Sequence, residues 1–253
     1  MPAEETADRQ YVTALARGLE ILSCFAPGRT ELGGSEIAAL TGLPQPTVWR
    51  LCYTMVKLGY LVQTGADKMR PGIPTLRLGF TALSSLDITE VARPDMKALA
   101  DRFSAACSLA VYDEGSMLFV QRCESESQLL MNLRVGSRIS VASSALGWAF
   151  LAALPVEERR DVMAKLAKRT SDWAALFPRI KAAIAECEKV GYITNTGQFH
   201  QDYNTAAVAI RGRDGRPRYA LSCGGVSSNV TVAAIRETIG PRLVALAEAL
   251  EAV

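Results

Sequence analysis

The sequence predicts an α+β protein in two parts: a small helical N-terminal part closed by a hairpin, and a larger C-terminal part on a largely antiparallel sheet. Three observations predict it. Up to residue 58, apolar residues recur at helical spacing between Gly and Pro breaks. Residues 60–71 then read as strand, tight turn, strand. From about residue 106, strand-like runs and amphipathic helices mix without strict βαβ alternation.

Each element follows from local pattern. Residues 9–25 carry Val12, Leu15, Leu19, Leu22 and Phe25 at helical spacing, and Pro27-Gly28 ends the run. A short helix over 35–41 has Ser35 as its expected cap and Ile37, Ala38 and Leu40 as its apolar face. Gly42-Leu43-Pro44 turns the chain into a helix over 47–58, with Val48, Leu51, Cys52, Met55 and Leu58 on one side and Gly59 as its stop. Residues 60–63 and 68–71 form the hairpin. Pro74 suits the first position of a helix running to about residue 86, and Asp87-x-x-Glu90 resembles a capping box for another, kinked or restarted at Pro94.

In the second part, residues 108–112 and 116–121 flank Asp113-Glu114-Gly115, a hairpin signal. A strand is expected over 129–133, and helices over 144–154, 156–167 and 176–190. Strands over 206–211 and 218–223 flank Asp214-Gly215, and a helix over 232–252 closes the chain.

A chain of 253 residues holds one or two domains, and 49% apolar residues supply a sizeable core. The net charge of +2 excludes a polybasic nucleic-acid coat, so any DNA site must come from local charge. Residues 1–8 read as a disordered polar tail rather than a signal peptide, and no run of 18 apolar residues suggests a membrane span. The six cysteines form no C-x-x-C pair and sit among apolar neighbours. Reduced, buried thiols in a cytoplasmic protein are expected, with no metal and no cofactor.

Helix, Gly-containing turn, helix and hairpin make a winged helix-turn-helix, whose second helix can lie in a major groove. Between Gly42 and Leu78 stand five basic residues, Arg50, Lys57, Lys68, Arg70 and Arg77, against the single acid Asp67. That local excess of four is the footprint of phosphate contact. Ser35, Gln45, Thr47, Arg50 and Thr54 are the candidate groove residues, with Thr47 at a helix start and Arg50 able to fork to a guanine or clamp a phosphate. Lys68 and Arg70 on the wing would reach backbone or minor groove. The competing interpretation is ordinary solvated charge. Trp49 either contacts DNA or, the favoured alternative, packs against the wing.

Several motifs occur together and in order: Ala14-Leu15-Ala16-Arg17-Gly18-Leu19-Glu20-Ile21-Leu22, Glu36-Ile37-Ala38, residues 41–51 (TGLPQPTVWRL), and Leu58-Gly59-Tyr60-Leu61. Further on come Leu76-Arg77-Leu78-Gly79, Ala92-Arg93-Pro94, Val135-Gly136-Ser137-Arg138 and residues 145–152 (ALGWAFLA), with Gly191 and Gly215 in place. From about residue 11 to its end the chain resembles the IclR-type transcription regulators. The resemblance implies domains at 1–73 (winged helix-turn-helix), 74–90 (linker helix region) and 91–253 (GAF-like effector-binding domain). It also implies a DNA-binding homo-oligomer, dimer or tetramer, on a pseudo-palindromic operator.

The family's pocket takes a small, often carboxylated metabolite, and it maps onto Ala145 and Leu146, onto Asn195, Tyr203 and Thr205, and onto Ser222 and Gly224. A helix starting near Ala145 can hold a carboxylate on its free N–H groups; alternatively Ser143 or Ser144 merely caps that helix. The mapped positions contain no arginine, and none is required in that arrangement. The chain departs from the family over residues 195–205, where most acids are missing and Thr205 replaces a cysteine. Tyr203 and Phe199 hint at an aromatic or bulkier acid. His200, the only histidine, reads as an exposed loop residue. An enzyme is not expected, since a nucleophile–base site would have to use that one histidine and no G-x-S-x-G or P-loop motif occurs. The remaining alternative is a C-terminal domain that oligomerises and binds no ligand.

Overall fold

Apolar periodicity in the first sixty residues becomes three helices. In the computed structural model, which describes residues 10–126, 133–197 and 200–251, α1 spans Thr13–Ser23, α2 Gly34–Thr41 and α3 Gln45–Lys57. The expected tail over 1–8, most of the expected strand over 129–133, and Phe199 lie outside the described residues; Leu133 itself is not in a strand. The described residues form two units that divide after Ser85.

In the first unit, Val48, Cys52 and Met55 repeat at helical spacing and bury the inner face of α3 against Ile21, Ile37 and Leu61. Each such side chain contributes roughly 1.5–3 kcal/mol when fully buried. Gly42 ends α2 with φ of 69°, a left-handed conformation that glycine adopts without a Cβ clash, and its N–H bonds Ala38 O at 2.9 Å. The wing is β2 (Leu61–Gln63) and β3 (Lys68–Pro71), and a two-residue β1 (Leu32–Gly33) pairs with β3 on its other side. That extra strand moves the start of α2. Gly33, not Ser35, is its cap residue, and the Glu36 carboxylate accepts the Gly33 N–H at 2.6 Å. Ser35 lies inside the helix and accepts a hydrogen bond from Gln45 Nε2 at 3.0 Å. Helix α4 (Ile73–Ser84) closes the unit without burying any of its residues.

The second unit opens with α5 (Asp87–Arg102). The expected capping box does not form: Leu86 is the cap residue, Asp87 is already helical, and Pro94 sits inside an unbroken helix. The sheet is β4 (Ala106–Asp113), β5 (Ser116–Glu124), β6 (Arg138–Ser140), β7 (Ile193–Thr196), β8 (Tyr203–Arg211) and β9 (Pro217–Val226). Its order is β6-β5-β4-β9-β8-β7, antiparallel throughout. Glu114 and Gly115 both take positive φ, 45° and 87°, as a two-residue hairpin loop of the primed type demands. Strand β6 carries no sequence signal, since three residues are too few for a readable alternation.

Helices α6 (Ala145–Ala153), α7 (Val156–Arg169) and α8 (Trp173–Val190) follow. Helix α6 is buried nearly all round because the sheet lies beneath it and α8 beside it. The closing helix is not continuous. It runs as α9 (Val232–Ala234), a π-helical turn (Ile235–Ile239) and α10 (Gly240–Leu250), with the Tyr192 ring filling the space beside Gly240 where a Cβ would sit. Helices α5 and α10 cover the sheet face opposite α6. On that face Cys123, Cys107 and Cys223 stand side by side in register, all buried and free. Burial pushes the Cys107 and Cys123 thiols up, which keeps them protonated and unreactive. No helix among the described residues is long and apolar enough to cross a membrane.

Candidate functional site

The outer face of α3 carries the first candidate site. Opposite the buried Val48–Cys52–Met55 stripe stand Trp49, Arg50, Tyr53, Thr54 and Lys57, all exposed. Gln45 is exposed and Thr47 half-buried in the first turn, where Pro44 and Pro46 fix the entry of the chain. Trp49 does not pack down on the wing. It is 67% exposed and stacks on Tyr53, one turn along, with ring centroids 5.5 Å apart. Thr54 donates its hydroxyl to Arg50 O at 3.0 Å, which occupies its proton but leaves the Arg50 side chain free to project.

Two features here were not legible in the sequence. Arg17, on the exposed side of α1, borders the same hollow as Thr47, Arg50 and Thr54, adding a cation beside the recognition helix. Lys68 is bonded to Glu36 Oε2 at 2.7 Å. That bond, followed by the Gly33 N–H, holds the Glu36 carboxyl below its ordinary range. Arg70 is exposed on β3.

The second candidate site is built by register. One cross-strand row on the α6 face reads Glu124, Ala106, Gly224, Thr205, Asn195 over β5, β4, β9, β8 and β7. The adjoining row reads Arg122, Ser108, Ser222, Ala207 and Ile193. Small side chains in the middle of both rows leave a hollow beneath the start of α6. A Cβ on Gly224 would come within 2.6 Å of Thr205 Oγ1 and 2.8 Å of Tyr203 Cε1, so only glycine lets those two side chains lie across it. The resulting cavity, about 40 Å³, is lined by Ala145, Leu146, Tyr203, Thr205, Ser222 and Gly224 among others. Asn195 is the one mapped residue that does not line it. Its Nδ2 donates to Ser143 O at 3.3 Å, and its buried Oδ1 has no partner among the described residues.

The helix start above the cavity is capped from within. Ser144 Oγ accepts the Gly147 N–H at 3.1 Å and donates to Ser140 O at 2.7 Å, so its one proton is committed. The amides of Ala145 and Leu146, in the first turn of the helix, have no partner among the described residues. Burial pushes the Tyr203 phenol up to about 12, against the opposing pull of the Arg122 charge, so it is neutral.

The cavity does contain an arginine. Arg122 lines it together with Ser108 and Phe119, none of which was singled out in the sequence. The reason is a register shift between Leu109 and Ala110, which puts Phe119 and Arg122 on one face although they are three residues apart. Strict alternation would have placed them on opposite faces. His200 is exposed, as expected of a loop residue. A larger apolar groove of about 510 Å³ runs between α7 and α8 past Met163, Trp173, Phe177 and Ile184, but among the described residues no buried polar side chain lines it to orient a ligand.

Comparison with known proteins bears on both sites. The model for the bacterial transcriptional regulator IclR C-terminal domain matches residues 80–252, and the IclR helix-turn-helix model matches residues 14–65. The HTH-type transcriptional regulator TsaQ1/TsaQ2 of Comamonas testosteroni is 35% identical over 95% of this chain and 88% of its own length. The crystal structure of an IclR family transcriptional regulator from Brucella abortus aligns at TM-score 0.89 and 37% identity, covering 100% of this chain and 96% of that one. An IclR homolog from Microbacterium hydrocarbonoxydans, crystallised in complex with 4-hydroxybenzoate, aligns at TM-score 0.74 and 26% identity over 95% of this chain and 100% of that one.

Proposed function

The chain belongs to the IclR family of bacterial transcriptional regulators and is a DNA-binding regulator rather than an enzyme; from that premise we propose that a small organic acid, bound in the cavity beneath α6, sets its affinity for a pseudo-palindromic operator. Residues 1–73 bind DNA, 74–90 link and 91–253 bind the effector, with the division after Ser85 falling inside the linker. The protein works in the cytoplasm as a symmetric homo-oligomer. One short recognition helix reads too few base pairs alone, and two-fold pairing supplies a second.

The observation that carries the reading is the pair of polar cross-strand rows closing on the head of α6. Residues Ala145 and Leu146 at the helix head and the hydroxyl-bearing Ser222 and Thr205 line the hollow, the makeup of a small-ligand site, and the orphaned Asn195 Oδ1 stands next in register to Thr205. Asn195 Oδ1 is an acceptor, so it suits a ligand hydroxyl better than a carboxylate. The relative crystallised with 4-hydroxybenzoate supports an aromatic hydroxy acid as the first class to test.

A cavity of about 40 Å³ holds a few waters at most. An organic acid must therefore open it, and a ligand that favours the open form shifts the equilibrium between forms. That differential is what a regulator needs. A thermal-shift screen of carboxylated metabolites tests the reading, since a ligand bound only to the folded state raises apparent stability by mass action. A hit should then alter operator binding in a gel shift. Ligand-independent operator binding across the whole screen would leave the C-terminal domain as an oligomerisation module.

A further inference from the structure

The effector reading leaves open what fixes the acid. Two features bordering the cavity attract an anion. The head of α6 offers two amides without a partner among the described residues and about half a positive charge. Arg122 offers a planar fork of N–H donors whose charge is shared with Glu124. It is the single charged side chain among the described residues that line the cavity, and its side chain is only 7% exposed.

The rest of Arg122's surroundings hold the guanidinium in place. Nε donates to Glu124 Oε1 at 2.7 Å, and Nη1 donates to Ser108 Oγ at 2.8 Å. The Phe119 ring lies 5.6 Å from the guanidinium carbon. Both N–H bonds of Nη2 have no partner among the described residues. Glu124 is engaged at Nε and is not among the residues lining the cavity. Ser108 stands in register with Arg122 on one side and Ser222 on the other, which places the Ser222 hydroxyl next in line along the row.

We propose that Arg122 is the specificity-determining residue of this cavity, taking the effector's carboxylate on its free guanidinium end while Glu124, Ser108 and Phe119 hold it in position. This rests on the effector reading above and moves the carboxylate from the helix head to the sheet. Ser222 donates to the same carboxylate, and Phe119, Ile139 and Leu146 cover the apolar body of the ligand. The class selected is a compact monocarboxylate with a flat apolar portion; its neutral amide is disfavoured because its single uncharged oxygen cannot take both N–H bonds of Nη2 and the Ser222 hydroxyl in the charge-assisted way a carboxylate can.

The test is calorimetric titration of benzoate and 4-hydroxybenzoate, each beside its amide, into the full-length protein. Wild type should bind an acid at least roughly tenfold more tightly than its amide. Arg122→Gln should lose roughly 10- to 100-fold in affinity for the acid and become indifferent to acid against amide. Arg122→Lys, which keeps the charge without the fork, should fall between. Circular dichroism melts show whether the variants fold, and the acid–amide preference of wild type stands independently of them. If Arg122→Gln keeps the acid preference while Ser222→Ala weakens binding, the helix head is the anchor: the effector reading survives and the Arg122 assignment is overturned. If wild type binds acid and amide alike, or binds neither, the assignment is overturned as well. If what binds is indifferent to Ser222→Ala too, the cavity reading falls with it.

Discussion

The two units present their sites in opposite ways. Unit one displays its candidate residues on the convex outside of α3, where Trp49, Arg50 and Tyr53 stand in solvent. Unit two encloses its own, with Asn195, Ser222 and Ser108 all buried under α6. A DNA-reading face must project outward into a groove about as wide as the helix that carries it. A small-molecule site must surround its ligand, so its polar groups are buried and have to be satisfied from within. The contrast implies that the two sites can be disabled separately.

The largest separable effect belongs to the outer face. Arg50→Ala should cost about 1–3 kcal/mol at each half-site, felt twice by a symmetric dimer. Its thermal midpoint should scarcely move, because the side chain is exposed. Operator affinity unchanged in a gel-shift titration would remove Arg50 from the interface.

A second break concerns α4, where Ile73, Leu76, Leu78 and Phe80 are exposed on a helix that buries nothing. A partner copy covering such a face would gain roughly 1.5–3 kcal/mol per large side chain. Leu76→Glu with Phe80→Glu should shift the sedimentation profile towards monomer and reduce operator affinity without changing effector affinity. A profile identical to that of wild type would take α4 out of the oligomer interface.

The inner site should respond in mirror image. Ser222→Ala removes a donor to a charged acceptor, worth about 1.5–3 kcal/mol, and should leave effector-free operator binding unaltered. If Ser222→Ala together with Asn195→Ala leaves effector affinity intact, the ligand binds elsewhere.

The smallest effect is on the wing. Lys68 is tied to Glu36, so it contributes less to phosphate attraction than its charge suggests. Glu36→Gln should steepen the salt dependence of DNA binding by about one ion. Acidification works in the same direction. The carboxyl is held below its ordinary range by Lys68 and the Gly33 amide, so the pair persists through neutral pH and is lost as pH falls through that lowered value. An unchanged salt slope in Glu36→Gln would mean Lys68 does not approach the DNA backbone.

The same contrast explains what could be read from the chain. Helical sites announce themselves: once Val48, Cys52 and Met55 mark the inner stripe of α3, the outer residues follow by rotation. The hairpin at Asp113-Glu114-Gly115 was equally legible from its turn chemistry. A two-residue strand such as β1 carries no alternation, so the displacement of the cap from Ser35 to Gly33 was hidden. The cavity depended on which residues of five strands share a row, and on the irregularity opposite Leu109 that turns Arg122 inward. Neither is a property of any one segment. The family resemblance mapped Ala145, Tyr203, Thr205, Ser222 and Gly224 to one place, and the rows bring them together; Arg122 and Ser108 needed the register itself.

Coupling between the two units is the central claim, and reciprocity tests it most directly. The effector's dissociation constant is measured with and without saturating operator, and the operator's with and without saturating effector, using DNA selected by the protein from a random pool. If the effector regulates, each ligand changes the other's affinity by the same factor, typically about 5- to 150-fold. Arg50→Ala should weaken operator binding while leaving effector affinity intact, and Ser222→Ala should weaken effector binding while leaving effector-free operator affinity intact. An effector that binds tightly yet leaves operator affinity unchanged would contradict the account, leaving a DNA-binding protein with a ligand site that does not control it.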